Sequence, residues 1–449
     1  MIKLTFCGGA KIVSGVNYLL ESDKTKILVD CGLFQGSHFC ERLNFESFPY
    51  QPQEIEAVFI THAHIDHIGR LPKLYREGFR GKVFSTPATK DFAKELLLDS
   101  EHLLREEAER EKKPLLYDIP DIENLMALWQ GVEYYQKLKF KELEIEFQNA
   151  GHILGSSIIV IKAENKKLVF SGDLGNIPNP LTEPMDFLHD ADYCLIESTY
   201  GSRLHEESER RKDILEDLIE NTVKAGGVLL IPAFAMERTQ ELLYELNELV
   251  ENGRIPRVPI FIDSPLAIKL TKIYQKYQKY FSPEARHLIS QGDLLFKFPG
   301  LKMALTVEES KAINDVPAPK VVMAGSGMSH GGRILHHERR YLSDPKNTIL
   351  FIGWQVAGSL GRQILEGAKE VKIFGEIVPV NCQIKAIGGY SAHADQPILL
   401  SWLKPMRHTL KKVFVVQGEE ESSLALAQKI KDELAIETFI PSLGDEVVL

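Results

Sequence analysis

Three imidazoles and a carboxylate fall within six residues in His62-Ala63-His64-Ile65-Asp66-His67. Neutral imidazole and carboxylate are the nitrogen and oxygen donors that suit zinc, and donors this dense on one turn can converge on one or two ions. The apolar run Ala57-Val58-Phe59-Ile60-Thr61 before the cluster reads as a buried strand, and the stretch from Ile68 to Leu74 after it reads as the start of a helix. The cluster therefore stands on a strand-to-helix turn. A chance surface grouping of His and Asp is the bland alternative, but an apolar strand aims these side chains at a cleft edge.

Four more isolated polar residues stand where an apolar strand ends beside glycine or small residues. They are Asp30 in Leu28-Val29-Asp30-Cys31-Gly32, His152 in Ala150-Gly151-His152-Ile153, Asp173 in Ser171-Gly172-Asp173-Leu174-Gly175, and His393 in Ser391-Ala392-His393-Ala394. Taken singly, each is explained as a turn or capping residue. Taken with the His cluster they describe a site assembled from distant sequence at one edge of a sheet.

The elements that must position these residues change character along the chain. Up to about Thr199 the pattern is short strands punctuated by glycine: Ile2–Phe6, Asn17–Leu20, Lys26–Val29, Ala57–Ile60, Ile158–Ile161 and Leu168–Phe170. A charged, Leu- and Glu-rich stretch from Lys90 to Glu111 favours helix. From about Tyr200 to Gly375, helices alternate with the apolar strands Gly227–Ile231, Pro259–Ile262, Val321–Ala324 and Thr348–Ile352, the pattern of a mostly parallel sheet. The remainder returns to strand, helix, strand, with Lys412–Val416 the clearest strand.

At 449 residues the chain is long enough for two or three units, and 44% hydrophobic with 26% charged residues is an ordinary globular composition. No apolar run approaches the ~20 residues of a membrane span, and the N-terminus lacks the pattern of a secretory leader. The expectation is a cytoplasmic protein without a membrane partner. Five scattered cysteines without C-x-x-C spacing indicate buried free thiols rather than disulfides or a zinc knuckle. A formal charge of −10 argues against a generally adhesive nucleic-acid coat protein but not against a nuclease, whose cleft alone needs positive potential.

With the His cluster, the segments Asp30-Cys31-Gly32-Leu33-Phe34-Gln35-Gly36, Ser171-Gly172-Asp173-Leu174-Gly175-Asn176, Glu197-Ser198-Thr199-Tyr200-Gly201 and Gly325-Ser326-Gly327-Met328 resemble the metallo-β-lactamase-fold nucleases of the β-CASP group over essentially the full length. The resemblance is to compact bacterial members of that group. It implies an α/β protein with a four-layered αββα metallo-β-lactamase fold and an inserted β-CASP α/β domain. The divisions would be 1–200 for the first part of the metallo-β-lactamase domain, 201–375 for the insertion and 376–449 for the C-terminal completion, with the active site in the cleft between core and insertion.

Carried over by position, His62, His64 and His152 would hold one zinc ion, Asp66 and His67 a second, and Asp173 would bridge them, with Asp30 supporting the cluster from behind. Glu197 and His393 match the two β-CASP residues that complete the site. Two such ions ~3.5–4 Å apart lower the pKa of a shared water and polarise a phosphoryl oxygen, so that hydroxide attacks phosphorus in line. His393 would protonate the leaving 3′ oxygen, with Glu197 setting its tautomer. One position departs from the family, which usually has a histidine ligand for the second zinc where this chain has Gln417. An amide oxygen is a weaker ligand, so the second site is expected to be weaker, with manganese as an alternative ion. His408 reads as a solvated loop residue.

The Gly325–Arg333 loop before a helix is a candidate for receiving RNA phosphate through Ser326 and Gly327. Arg333 and Arg238 are candidate phosphate contacts, with buried ion pairs as the alternative. Tyr274, Tyr277, Tyr280 and Phe281 have the spacing of a packed face more than of a base-stacking platform. The resulting expectation is a zinc-dependent ribonuclease on single-stranded RNA, endonucleolytic rather than purely 5′–3′ exonucleolytic, with a homodimer as one assembly compatible with it. The rival readings are a DNA-directed nuclease and a catalytically weak RNA-binding scaffold, the second favoured only by Gln417.

Overall fold

Strands that are apolar on both faces need cover on both sides. The computed structural model, which describes residues 1–205, 210–353, 355–356, 358–388 and 390–449, shows how the chain supplies it. It separates into two compact units, Met1–Leu204 with Ala392–Leu449, and His205–Ser391.

The first unit is built on two seven-stranded sheets. One runs Glu446–Val448, Lys3–Phe6, Tyr18–Glu21, Lys26–Val29, Ala57–Phe59, Lys82–Ser85 and Trp129–Gly131. The other runs Thr438–Phe439, Lys412–Val416, Tyr193–Glu197, Lys166–Phe170, Ser157–Ala163, Leu143–Asn149 and Leu138–Phe140. Alternate residues of a strand point to opposite faces. Ile159, Ile161, Leu168, Phe170, Phe414 and Val416 therefore join Phe6, Tyr18 and Phe59 between the sheets. Their neighbours Ile158, Val160, Val169, Val413 and Val415 face outward to Trp402 and Leu403 of the helix Gln396–Leu403 and Leu426 and Ile430 of the helix Glu420–Leu434. The helices Leu71–Arg76, Pro87–Glu111 and Ile119–Leu128 pack together beside the first sheet, giving the expected αββα layering.

Parallel pairing puts several strand ends on the same side. Lys26–Val29 pairs in parallel with Ala57–Phe59, and Lys166–Phe170, Tyr193–Glu197 and Lys412–Val416 pair in parallel in turn. Asp30, the His62–His67 turn, Asp173, Glu197 and Gln417 all lie at or just beyond these carboxyl ends, where open α/β sheets place their ligands.

The second unit carries a six-stranded, all-parallel sheet in the order Leu301–Met303, Ile260–Asp263, Lys320–Ala324, Val228–Pro232, Thr348–Ile352 and Gln383–Ile387. Gln383–Ile387, which lies beyond residue 375, pairs with Thr348–Ile352 inside this unit. Among the described residues no helix is long and apolar enough to cross a membrane. All five thiols are free; four are buried and Cys40 is half-buried.

One buried carboxyl in this unit has a measurable consequence. Glu338 is fully buried, accepts a hydrogen bond from Ser329 Oγ through Oε1, and leaves Oε2 without a partner among the described residues. Burial lifts its pKa to about 8, against the opposing effect of the Ser329 bond. Between the ordinary carboxyl value and pH 8 the folded chain holds a proton that the unfolded chain releases, so folding stability falls as pH rises through that window. Glu338→Gln removes the titration. The variant is expected to gain on the wild type by about 1.4 kcal/mol per pH unit from pH 5.5 to 8, read from chemical denaturation, and a pH-independent difference would refute this.

Candidate metal centre

The His turn is held by a second segment of backbone. The short helix Ile65–Ile68 begins from His64 at its N-cap, with Asp66 in the first turn. The segment that follows Lys26–Val29 lies against it: Cys31 N–H donates to the His67 carbonyl at 2.8 Å, and Leu33 N–H to the Ile65 carbonyl at 2.9 Å. A Cβ on Gly32 would stand 1.5 Å from the Asp66 carbonyl oxygen, so only glycine permits this approach. Arg70 Nε donates to the Gly32 carbonyl at 2.6 Å, and its guanidinium lies 4.4 Å from the centre of the Phe34 ring.

Four donors then converge. His64 Nδ1 lies 3.1 Å from His62 Nε2 and 3.2 Å from His152 Nε2. Asp173 Oδ2 lies 3.5 Å from His62 Nε2 and 3.6 Å from His152 Nε2. Bonds of about 2.0–2.2 Å, the range for nitrogen and oxygen on zinc, give a tetrahedron with edges of about 3.3–3.6 Å. The two separations to Asp173 fall in that range and the two between imidazoles lie 0.1–0.2 Å below it, so the donors fit a single small cation with slight outward adjustment.

The outer nitrogens are fixed as metal ligands require. His152 Nδ1 lies 3.2 Å from the Ala392 carbonyl, which can only accept, and His62 Nδ1 lies 3.1 Å from Thr61 Oγ1. Thr61 Oγ1 donates its own proton to Asp30 Oδ2 at 2.7 Å, so it is left to accept from His62. Burial drives His62 and His152 well below the ordinary imidazole value, leaving both neutral with a lone pair turned inward. Burial acts to raise the Asp173 carboxyl, but the charged His67 beside it outweighs burial and holds the group ionised.

A second position lies on the other oxygen of Asp173. His67 Nε2 is 3.3 Å from Asp173 Oδ1 and 3.9 Å from Asp66 Oδ2. Asp30 sets the orientation of His67 by accepting at Oδ2 from its Nδ1 at 2.8 Å, while Oδ1 accepts from Thr61 N–H at 2.8 Å. Burial opposes protonation of His67, yet Asp173, Asp30 and Asp66 together raise it well above the ordinary value: the position attracts positive charge. Gln417 Nε2 completes it, 2.7 Å from Asp173 Oδ1 and 3.1 Å from His67 Nε2.

His393 stands alongside. Its Nδ1 lies 3.3 Å from Glu197 Oε2 and 3.8 Å from Asp173 Oδ2. Glu197 ends its strand fully buried and accepts from Leu174 N–H at 2.6 Å through Oε1. Backbone bonds pin the His393 segment: Asn176 N–H donates to the Ala392 carbonyl at 2.9 Å, and Ala394 N–H to the Leu174 carbonyl at 2.7 Å. Burial lowers the pKa of His393, but Glu197, Asp173 and Asp66 prevail and lift it to about 9. The Tyr200 ring stacks on the imidazole, with centroids 5.9 Å apart.

The structure thus brings His62, His64, Asp66, His67, His152, Asp173, Glu197, His393 and Gln417 together, with Asp30 behind them. The other candidates belong to the second unit and are engaged inside it. Arg333 donates to Asp263 Oδ1 at 2.7 Å and to the Ala304 and Leu305 carbonyls, and Arg238 pairs with Glu241 at 3.1 Å, as the ion-pair alternative has it. Ser326 Oγ accepts from His330 N–H within its own loop, and Gly327 is buried. Tyr274, Tyr277 and Phe281 are buried, as a packed face requires, and His330 and His408 are exposed. Sequence reasoning missed Thr61, Arg70 and the Ala392 carbonyl. Thr61 was legible as the hydroxyl beside His62; a backbone carbonyl far along the chain carries no sequence signal.

Two facing sheets under helical layers, with a caged donor set at their carboxyl ends, define a metal-dependent hydrolase of the metallo-β-lactamase fold. The chain belongs to that superfamily, in the branch that carries a β-Casp domain. Residues 19–190 match the metallo-beta-lactamase superfamily domain, 239–364 the Beta-Casp domain, and 377–441 the Zn-dependent metallo-hydrolase RNA specificity domain. Ribonuclease TTHA0252 of Thermus thermophilus is 41% identical, covering 94% of both chains. An RNase J-like protein of Methanocaldococcus jannaschii is 31% identical over 99% of both, and transcription termination factor FttA of Methanosarcina mazei is 31% identical over 97% of this chain and 70% of its own. A crystal structure of a protein of unknown function from Enterococcus faecalis shares the fold over the full length of both chains, with a TM-score of 0.57 at 12% identity.

Proposed function

We propose that this chain is a zinc-dependent ribonuclease that hydrolyses phosphodiester bonds within single-stranded RNA. The observation that carries the reading is the donor cage around Asp173 with the Glu197–His393 pair at its side; the similarity to ribonucleases supports RNA as the substrate class. His62, His64, His152 and Asp173 would hold one zinc ion, and Asp66, His67, Asp173 and the oxygen of Gln417 a second, weaker one, for which manganese is the alternative. Bound there, the ions supply an activated water and neutralise charge on the phosphoryl group.

The remaining work falls to the chain's own groups. Thr61, Asp30 and the Ala392 carbonyl fix the imidazole tautomers before substrate arrives. Glu197 holds His393 Nδ1, and the imidazolium gives its proton to the leaving 3′ oxygen as the P–O3′ bond breaks. The products are a 3′-hydroxyl and a 5′-phosphate. On this reading the β-CASP insertion runs over about 201–375, which the match of residues 239–364 supports, with the metallo-β-lactamase core on either side of it in sequence.

One end-labelled single-stranded RNA and the matching DNA, incubated with zinc-loaded protein, test this. Internal RNA fragments that disappear with Asp66→Ala are expected. Equal cleavage of DNA would move the substrate class, and RNA binding without cleavage across added zinc and manganese would make the chain the scaffold that Gln417 allows.

A further inference from the structure

In the loop 233–237, which follows the strand Val228–Pro232, burial runs against what solvation favours. The carboxylate residue Glu237 is 2% exposed and Ala233 and Met236 are buried, while Phe234 is 38% exposed. The loop is also strained. Glu237 has φ 63° and ψ −61°, and Arg238 N–H donates to the Met236 carbonyl at 2.9 Å, which is the rare, strained form of the γ-turn. Contacts on every residue but one hold this course: Ala233 N–H donates to the Ala324 carbonyl at 3.0 Å, Thr239 Oγ1 to the Phe234 carbonyl at 2.7 Å and Gln240 Nε2 to the Ala235 carbonyl at 3.1 Å, and Glu237 accepts from the Tyr274 hydroxyl. Strain of this kind persists only where the surroundings over-determine it, and it gathers at ligand sites.

The place of the loop in its sheet is an independent observation. Val228–Pro232 and Lys320–Ala324 are parallel neighbours. The chain leaving the first crosses the second to reach Ile260–Asp263, and the chain leaving the second crosses the first to reach Thr348–Ile352. With right-handed crossovers, connections that run in opposite directions lie on opposite faces of the sheet, and a crevice opens beyond the two carboxyl ends. Phe234 stands just past one of these ends and Gly327 just past the other. A Cβ on Gly327 would lie 2.7, 2.8 and 3.0 Å from Cδ2, Cε2 and Cγ of the Phe234 ring. Nearly equal distances to three adjacent carbons put the glycine over a face of the ring and not at its rim. The exposure of Phe234 therefore belongs to the rim and the opposite face.

We propose that Phe234, backed by Gly327 in the crevice of the second unit's sheet, is a stacking platform for one base of the bound RNA strand. The proposal rests on the ribonuclease reading given above. Every base has a flat π face, so stacking on an aromatic ring tolerates any sequence, as an enzyme acting on varied single strands requires. A base in a duplex is already stacked within its own helix, whereas an unpaired one can be splayed onto the ring. One phenyl ring is far smaller than the roughly 800 Å² per partner of a stable protein interface, and it matches a single base. Because the strained loop is already fixed, little freedom is lost on binding, and more of the stacking energy appears as affinity.

The test is equilibrium binding of a labelled single-stranded RNA to the full chain without metal, so that no cleavage intervenes, read by fluorescence anisotropy. The same ribose-phosphate strand without bases is measured beside it. Phe234→Leu keeps an apolar side chain against Gly327 but removes the ring, and Phe234→Tyr keeps the ring. Phe234→Leu is expected to bind the RNA about tenfold more weakly than the wild type, the loss that removing one base–aromatic stack implies. Phe234→Tyr is expected to bind it as the wild type does. The strand without bases is expected to bind the wild type and Phe234→Leu alike. Equal RNA binding by the wild type and Phe234→Leu overturns the platform. An equal loss on both strands, or a loss in Phe234→Tyr as large as in Phe234→Leu, does the same, because neither depends on a base meeting a ring. If the wild type binds no RNA, the ribonuclease reading itself fails and the platform with it.

Discussion

Asp173→Asn is expected to lower RNA cleavage by about 10³-fold or more, because a bound metal pair contributes several kcal/mol to the transition state and each 1.36 kcal/mol is a factor of ten. Asp173 serves both positions at once. Its Oδ2 faces His62 and His152 at 3.5 and 3.6 Å, and its Oδ1 faces His67 at 3.3 Å. Asparagine keeps the volume but turns one of these oxygens into an NH₂ group with no lone pair, and it removes the charge that His67 maintains against burial. Zinc retained after desalting should fall with the rate, while the thermal midpoint measured without metal stays near the wild-type value. Full zinc content with unimpaired cleavage would show that Asp173 is not a ligand.

The second large effect belongs to His393. His393→Gln is expected to cost about 10²–10⁴ in kcat, the usual contribution of a positioned general acid, while zinc content is unchanged. A substrate whose leaving group is an anion of low basicity, such as a nitrophenyl phosphodiester, needs no proton and should be cleaved by the variant almost as fast as by the wild type. An equal loss on both substrates would assign His393 a structural role. The proton must be present for the acid to act, so activity falls as pH rises through the pKa of His393. Burial acts to lower that value, and Glu197, Asp173 and Asp66 hold it above the ordinary imidazole range. Removing one anion by Glu197→Gln weakens that hold, so the alkaline fall in the kcat profile should move to lower pH. A shift to higher pH would contradict the pairing.

Much of the centre was legible because its residues obey local rules. The His62–His67 turn could be placed because Ala57–Phe59 is uniformly apolar and must be buried, and Asp30 and Asp173 could be placed because glycine follows or precedes them at strand ends. Lys26–Val29, Thr348–Ile352 and Lys412–Val416 are strands over the ranges their apolar residues suggest. The long helix begins at Pro87, three residues before Lys90, because Thr86 caps it by accepting from Thr89 N–H and proline suits the first turn. Local rules also hid some strands. Leu143–Asn149 alternates Leu, Ile and Phe with Glu and Gln, as a strand with one buried face should, but its charges resemble those of the helices. What no local rule reveals is the partner of a side chain. Whether Arg333 meets phosphate or Asp263, and whether Gln417 presents its oxygen or its nitrogen, depends on groups brought close only by the sheets.

The pairing of Tyr193–Glu197 with Lys412–Val416 also governs when the protein becomes an enzyme in the life of one molecule. Asp173 and Gln417 stand 244 positions apart in sequence, and His67 and Gln417 stand 350 apart. A ribosome that has already made the His turn must still make the whole of His205–Ser391 before the last donor exists. That intervening unit is continuous and can complete its parallel sheet while its flanks wait, since domains fold as units during synthesis. The first sheet is open on one side until Glu446–Val448 arrives beside Lys3–Phe6. The second position of the centre is therefore the last to form, since it needs Lys412–Val416 to be made and paired before Gln417 can meet Asp173 and His67.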